Sequence, residues 1–180
     1  MHPENIVLLG FMGTGKSAVG RMLAKRLGSD WHFIEMDKRI EELAGLSISE
    51  IFPQEGESHF RDLETQVCRE LIGEHHAIVS TGGGVVTRPE NVEILGSFAH
   101  LILLTATPEV IFERIMKDGK EKRPLLAKPD PMGEIEKLLA VREELYRAAT
   151  GDYVDTTIKS PSEVAEEILA LLRENGDVTC

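Results

Sequence analysis

Short unbroken apolar runs alternate along this chain with segments in which apolar residues recur every third or fourth position. The runs are Ile6–Leu9, His32–Ile34, Ala77–Ser80 and Leu101–Leu104, with a weaker one at Tyr153-Val154. Runs of this kind, closed by glycine or by an acid, predict strands of a parallel sheet covered on both faces. The first helical pattern spans Lys16–Leu27, with Val19, Met22, Leu23 and Leu27 on one stripe and Gly28 as its stop. Others are predicted at Lys38–Leu43, from the capping box Ser47–Glu50, over Glu57–Ile72, and after a second capping box at Thr87–Glu90. Three more begin at Thr107-Pro108, run over Gly133–Ala149, and open at Ser160–Glu163, the last carrying Val164, Ile168, Leu171 and Leu172. The segment Lys117–Asp130 is polar, basic and proline-containing, and reads as a surface loop. Strand and helix in alternation imply one α/β domain, residues 1–180, with a parallel sheet between two helical layers.

Composition narrows the class of partner. The chain has 180 residues, 42% of them hydrophobic, and a net charge of −11. Such a field repels nucleic acid and anionic membrane, so neither is an expected partner, and any convergence of basic residues stands out. No apolar run approaches the length needed to cross a bilayer, and Met1–Asn5 lacks the features of a secretion signal. Cys68 and Cys180 have no metal or redox spacing, which suits a buried thiol and a tail thiol in the reducing cytoplasm.

Candidate chemistry begins directly after the first strand. Gly10-Phe11-Met12-Gly13-Thr14-Gly15-Lys16-Ser17 fits the phosphate-loop pattern G-x-x-x-x-G-K-[ST], placed between an apolar strand and an amphipathic helix. Glycines allow backbone N–H groups to turn toward phosphate oxygens, Lys16 adds a point charge, and Ser17 offers a hydroxyl to Mg²⁺. Gly13, Thr14, Gly15, Lys16, Ser17 and Ala18 are the expected contacts of ATP.

The rest of the chain separates the classes of phosphate-loop protein. No N-K-x-D segment is present to read guanine, and the D-x-x-G at Asp130–Gly133 falls where an N-cap and turn suffice. The strands ending near Gly82 and Thr105 carry no magnesium-binding acid; Glu35 and Asp37 instead follow the second strand. That arrangement suits a small-molecule kinase, with Asp37 facing a substrate hydroxyl or capping the helix after it. Gly82-Gly83-Gly84 at the end of a strand lets backbone approach a ligand where α/β proteins bind substrates. Arg61, with Glu64 three positions on to orient it, and Arg142, with Arg147 five positions on, carry no distinct signal taken alone, a solvated surface pair being the usual outcome of such spacing; Arg123 is a candidate lid residue over the phosphates.

Taken together, Gly10–Ser17, Phe33–Asp37, Ile51-Phe52, Gly56–Glu64, Gly82–Gly84, Arg123–Leu126 and Arg142–Tyr146 resemble the shikimate kinase family over nearly the whole chain. The resemblance implies a nucleoside monophosphate kinase-like fold with a five-stranded parallel sheet in order 2-3-1-4-5. It implies transfer of the γ-phosphoryl of ATP to the 3-hydroxyl of shikimate; a monomer is the expected state. Residues 35–65 would form the substrate-binding region and 115–130 the lid. Asp37, Lys16 and Arg123 would be catalytic; Asp37, Arg61 and Arg142 would hold the substrate beside Gly82, Gly83 and Gly84. Glu64 would orient Arg61.

The chain departs from the family pattern in three places. Glu35 stands where the first aspartate of Asp-x-Asp is usual, so its approach to Mg²⁺, direct or through water, involves a longer side chain. The stretch from Arg114 to Arg123 is longer than usual; Arg114 is the residue expected to stack on adenine, with Lys117 as the alternative. Lys159 replaces an arginine that often flanks the base, keeping charge but not the flat guanidinium. A gluconate-type kinase and a non-catalytic nucleotide-binding regulator are the alternatives.

Overall fold

The computed structural model describes residues 5–118 and 129–174. In chain order the elements are β1 (Asn5–Leu9), α1 (Lys16–Leu27), β2 (His32–Glu35), α2 (Met36–Ala44), α3 (Ile48–Glu70) and β3 (Ala77–Ser80). They continue with α4 (Pro89–Phe98), β4 (Ala99–Thr105), α5 (Pro108–Asp118), α6 (Pro131–Ala149), β5 (Tyr153–Asp155) and α7 (Pro161–Glu174). Every strand pair is parallel, and the order is β2-β3-β1-β4-β5. This is the nucleoside monophosphate kinase-like arrangement, and it puts β1 and its loop at the centre.

Strand alternation divides the core in two. Val7, Leu9 and Val79 face one side with residues of α2, α3, α4, α5 and α6, among them Ile40, Phe60, Leu95, Ile111 and Ile135. Ile6, Leu8, Ile78, Ile102 and Leu104 face the other, against Val19 and Leu23 of α1 and Val164, Ile168 and Leu172 of α7. All five residues of β1 are buried, as an unbroken apolar run requires in a sheet covered on both faces.

Several element boundaries differ from the pattern-based expectation. Helix α2 starts at Met36, directly after β2 and before Lys38, so Asp37 lies in its first turn and is not its cap. The helices expected from Ser47 and Glu57 are joined end to end in α3, with only Gly56 outside helical geometry (φ 85°, ψ 168°). A capping box forms at Ser47, whose N–H donates to Glu50 at 2.9 Å. None forms at Thr87: its hydroxyl donates to the Gly84 carbonyl at 2.6 Å inside a 3₁₀ turn, and Arg88 occupies the cap position of α4. Asp130 caps α6, accepting from the Gly133 N–H at 3.0 Å, and the helix begins at Pro131, ahead of Gly133. Most of the expected lid, including Arg123, lies outside the described residues, as does Cys180; Cys68 is buried. Among the described residues no helix is long and apolar enough to cross a membrane.

Candidate active site

The carboxyl ends of β1 and β3 open side by side, and the loops leaving them build the two halves of the site. On the β1 side, Gly13 and Gly15 take left-handed torsions (φ 77° and 97°) that a side chain disfavours. The first intrahelical bond of α1 runs from the Val19 N–H to the Gly15 carbonyl at 2.9 Å. The N–H groups of Lys16, Ser17 and Ala18 therefore stand at the helix terminus without intrahelical partners, in the arrangement that receives phosphate oxygens. Lys16 is buried, and its Nζ donates to the carbonyls of Gly10 at 2.7 Å and Phe11 at 2.9 Å. Arg114 of α5 braces the same loop from outside, donating to the Gly13 carbonyl at 3.1 Å and to the Thr156 carbonyl at 2.7 Å. The Thr156 hydroxyl also reaches the Thr14 carbonyl at 2.9 Å.

Ser17 projects toward β2, where its hydroxyl donates to Glu35 Oε1 at 2.8 Å. The Ser80 hydroxyl at the end of β3 lies 3.4 Å from it. The other oxygen of Glu35 accepts from Arg21 at 3.1 Å.

The β3 side carries the triple glycine. Arg61 of α3 lies so close to Gly84 that a Cβ there would stand 2.4 Å from both terminal guanidinium nitrogens. These glycines have no positive φ, so what they supply is space. Arg61 donates to Glu64 at 2.8 Å and to Glu57 at 3.3 Å. Glu64 is wholly buried, with Oε1 lacking a hydrogen-bond partner among the described residues; that oxygen and Asp37 Oδ1 both approach Gly82, within 3.0 and 3.1 Å of a Cβ built there. Arg142 of α6 donates to the Gly83 carbonyl at 3.2 Å, and the Tyr146 hydroxyl donates to the same oxygen. The ring of Phe11 lies 5.8 Å from the Arg142 guanidinium carbon. Two guanidinium groups, two carboxyl groups and a backbone turn thus converge beside the phosphate loop.

Electrostatics follow from burial. Desolvation pushes the Glu64 carboxyl above its ordinary range even though Arg61 pulls it down. Burial alone lowers Arg61, but Glu64 and Glu57 outweigh that and raise it, so it stays charged. Desolvation lifts the Tyr146 phenol to about 12, leaving it a neutral donor to Gly83.

A family model described as shikimate kinase matches residues 12–173. A shikimate kinase of Symbiobacterium thermophilum is 40% identical over 173 residues, covering 96% of this chain and 98% of that protein. One of Pelotomaculum thermopropionicum is 44% identical over 173 residues, with the same coverage of 96% and 98%. The chain belongs to the shikimate kinase family. A solved shikimate kinase of Acinetobacter baumannii, in complex with shikimate, superposes with a TM-score of 0.90 at 35% identity, covering 97% of this chain and 95% of that one.

Within this member of the shikimate kinase family the remaining expected residues are placed unevenly. Ala18 is exposed in the first turn of α1. Lys159 is paired with Glu167 at 2.5 Å, and Lys117 is exposed near the end of α5. Arg114 is held by the carbonyls of Gly13 in the phosphate loop and of Thr156 beyond β5. Pattern reading assigned no separate role to Tyr146, Phe11, Thr156 or Arg21. Tyr146 carried a usable signal, lying four positions from Arg142 and so on the same helical face. Arg21 stands at the same spacing from Ser17.

Proposed function

We infer that this protein transfers the γ-phosphoryl of ATP to the 3-hydroxyl of shikimate, giving ADP and shikimate 3-phosphate for chorismate and aromatic amino acid synthesis. The observation that carries this reading is the convergence of Arg61, Arg142 and Asp37 on Gly82–Gly84, next to a phosphate-loop lysine. A small polyhydroxylated carboxylate needs guanidinium forks for its anion and one acid for its reacting alcohol. Arg61 and Arg142 would hold the carboxylate, with Gly83 beside it. Asp37 would align the alcohol and take its proton as the oxygen–phosphorus bond forms and the bond to ADP breaks. Lys16 and the terminal N–H groups of α1 would hold the phosphates, Arg114 would flank adenine with Lys159 nearby, and Arg123 would close from the lid of residues 115–130. Residues 35–65 would move as the substrate-binding region.

Ser17 and Glu35 fit a magnesium ion. A hydroxyl and a carboxylate oxygen face each other at 2.8 Å, both hard oxygen donors. Among the described residues no cluster of three acidic, histidine or cysteine side chains suits a fully protein-bound metal. A site with so few protein oxygens leaves most of the coordination to water and phosphate, as Mg²⁺ prefers. When bound, Mg²⁺ would neutralise charge on the β- and γ-phosphate oxygens.

The test is ADP release from MgATP in parallel with shikimate, quinate and gluconate. Shikimate is expected to give turnover and an acid-stable phosphomonoester. R61A and R142A should each weaken shikimate binding by about 2–5 kcal/mol, as for a truncated partner of a buried ion pair. D37N should bind ATP normally yet turn over about 10²-fold more slowly or worse. Turnover with gluconate but none with shikimate refutes the assignment, and unchanged shikimate affinity in both arginine variants removes the carboxylate clamp.

A further inference from the structure

Glu35 is gripped at both ends of its carboxylate. Oε1 accepts from the Ser17 hydroxyl at 2.8 Å, and Oε2 accepts from Arg21 Nη2 at 3.1 Å. Arg21 is itself fixed from two other directions. Its Nη1 donates to the Ser17 carbonyl at 3.2 Å, and its guanidinium carbon lies 5.0 Å from the centre of the Phe33 ring. The geometry has a local cause. Ser17 and Arg21 are one helical turn apart on α1, and so share a face. Gly20 lets α1 settle onto β2, since a Cβ there would stand 2.4 Å from the Phe33 ring. That close approach brings Arg21 alongside the end of β2, where Glu35 sits.

We propose that Arg21 is a positioning residue that sets the choice of cation at this site, by occupying Oε2 and leaving Glu35 only Oε1 to offer on the Ser17 side. The proposal rests on the magnesium reading of Ser17 and Glu35 given above and adds to it a device for selectivity. A carboxylate with both oxygens free binds bidentately to Ca²⁺, which accepts six to eight oxygens in loose geometry. Mg²⁺ demands a near-regular octahedron, keeps several waters and takes carboxylate oxygens singly. Glutamate reaches further and turns more freely than aspartate, so restraint on its second oxygen matters more here.

Arg21 acts on cations in a second way, and the two effects must be separated. Its positive charge lowers the affinity of Glu35 for any divalent ion, so removing it tightens Mg²⁺ and Ca²⁺ together. Only the loss of restraint changes their ratio. The ratio is therefore the diagnostic quantity.

The experiment uses the full chain with ADP, titrated with Mn²⁺ and followed by the electron paramagnetic resonance signal of the free ion. Bound Mn²⁺ is then displaced by Mg²⁺ or by Ca²⁺. R21M keeps an apolar stem on Phe33 and loses the guanidinium; R21K keeps a charged donor; E35Q removes the charge of the carboxylate. In R21M the Ca²⁺-to-Mg²⁺ displacement ratio is expected to move toward Ca²⁺ by about tenfold, a change of the order by which outer partners alter metal affinity. R21K is expected to lie nearer the wild-type ratio. Equal tightening of both ions in R21M, or an unchanged ratio, overturns the proposal by reducing Arg21 to a charge or to a surface pair. E35Q separates that failure from a deeper one. If it leaves Mn²⁺ affinity intact, the assignment of Glu35 to the cation falls, and the selectivity device with it. If R21M does not fold, R21A, which also removes the guanidinium from Oε2, carries the same comparison with the same two outcomes.

Discussion

Glu64 sits fully out of water between Arg61 and the backbone of Gly82, and its carboxyl is held above the ordinary range chiefly by desolvation. The folded protein therefore takes up this proton at a higher pH than the unfolded chain does. Its contribution to stability is complete below the unfolded value of 4.5 and is lost as pH rises through the raised folded value. A glutamine at this position is neutral throughout. Wild type is thus expected to gain stability relative to E64Q as pH falls from about 7 to about 5, read from urea unfolding midpoints. A wild-type advantage that shrinks on acidification contradicts the raised carboxyl. The same variant should raise KM for shikimate more than KM for ATP, because Arg61 loses its charged partner while the phosphate loop is untouched. Buried Glu64 is retained at a cost in desolvation, and the return is a guanidinium with one orientation, pressed against Gly84.

At the scale of elements, α3 turns on one torsion. Gly56 has φ 85° and ψ 168°, a region reserved for glycine, and none of the described residues lies within 4 Å of where a Cβ would stand. Any penalty of a side chain there is torsional, since none of these residues would clash with it. G56A should destabilise by about 1–3 kcal/mol in urea unfolding; an unperturbed midpoint means the kink is not required. The kink lets Ile51 on one arm and Phe60 on the other both reach the core, with the Phe52 and Phe60 rings 4.9 Å apart. Sequence pattern located both arms, because a capping box and an interrupted apolar stripe are local signals. It likewise located β1, β3, β4 and the phosphate loop, whose meaning lies within a few consecutive residues. It misplaced the start of α2, because no turn residue separates β2 from Met36 and an acid after a strand mimics a cap. It took Thr87 for a cap, whereas that hydroxyl closes a local 3₁₀ turn onto the Gly84 carbonyl three residues back. The pairings Arg61 with Gly84 and Arg142 with Gly83 join residues far apart in sequence. No periodicity reports such contacts, and only the family resemblance put those residues at one site.

At the scale of the whole molecule, the phosphate loop is where the two cores meet. Residues of β1 face both, α1 packs on one, and Phe11 at the loop belongs to the other. Arg114 and Thr156 add a bridge from the far edge of the sheet. A ligand gripped by this loop binds the folded state alone, and its binding energy is therefore added to the stability of the whole fold. ADP with Mg²⁺ at about a hundred times its dissociation constant should contribute about 2.7 kcal/mol. For a chain of this size that corresponds to a rise of about 5–10 °C in the unfolding midpoint. K16A should abolish most of the rise, since Lys16 supplies the cation inside the loop. Shikimate alone should give its own increment, removed by R142A, while R142A keeps the response to ADP. The two ligands thus report on the β1 side and the β3 side separately. If K16A retained the full nucleotide increment, or if R142A lost both increments together, the division of labour between the two crevice walls would be wrong.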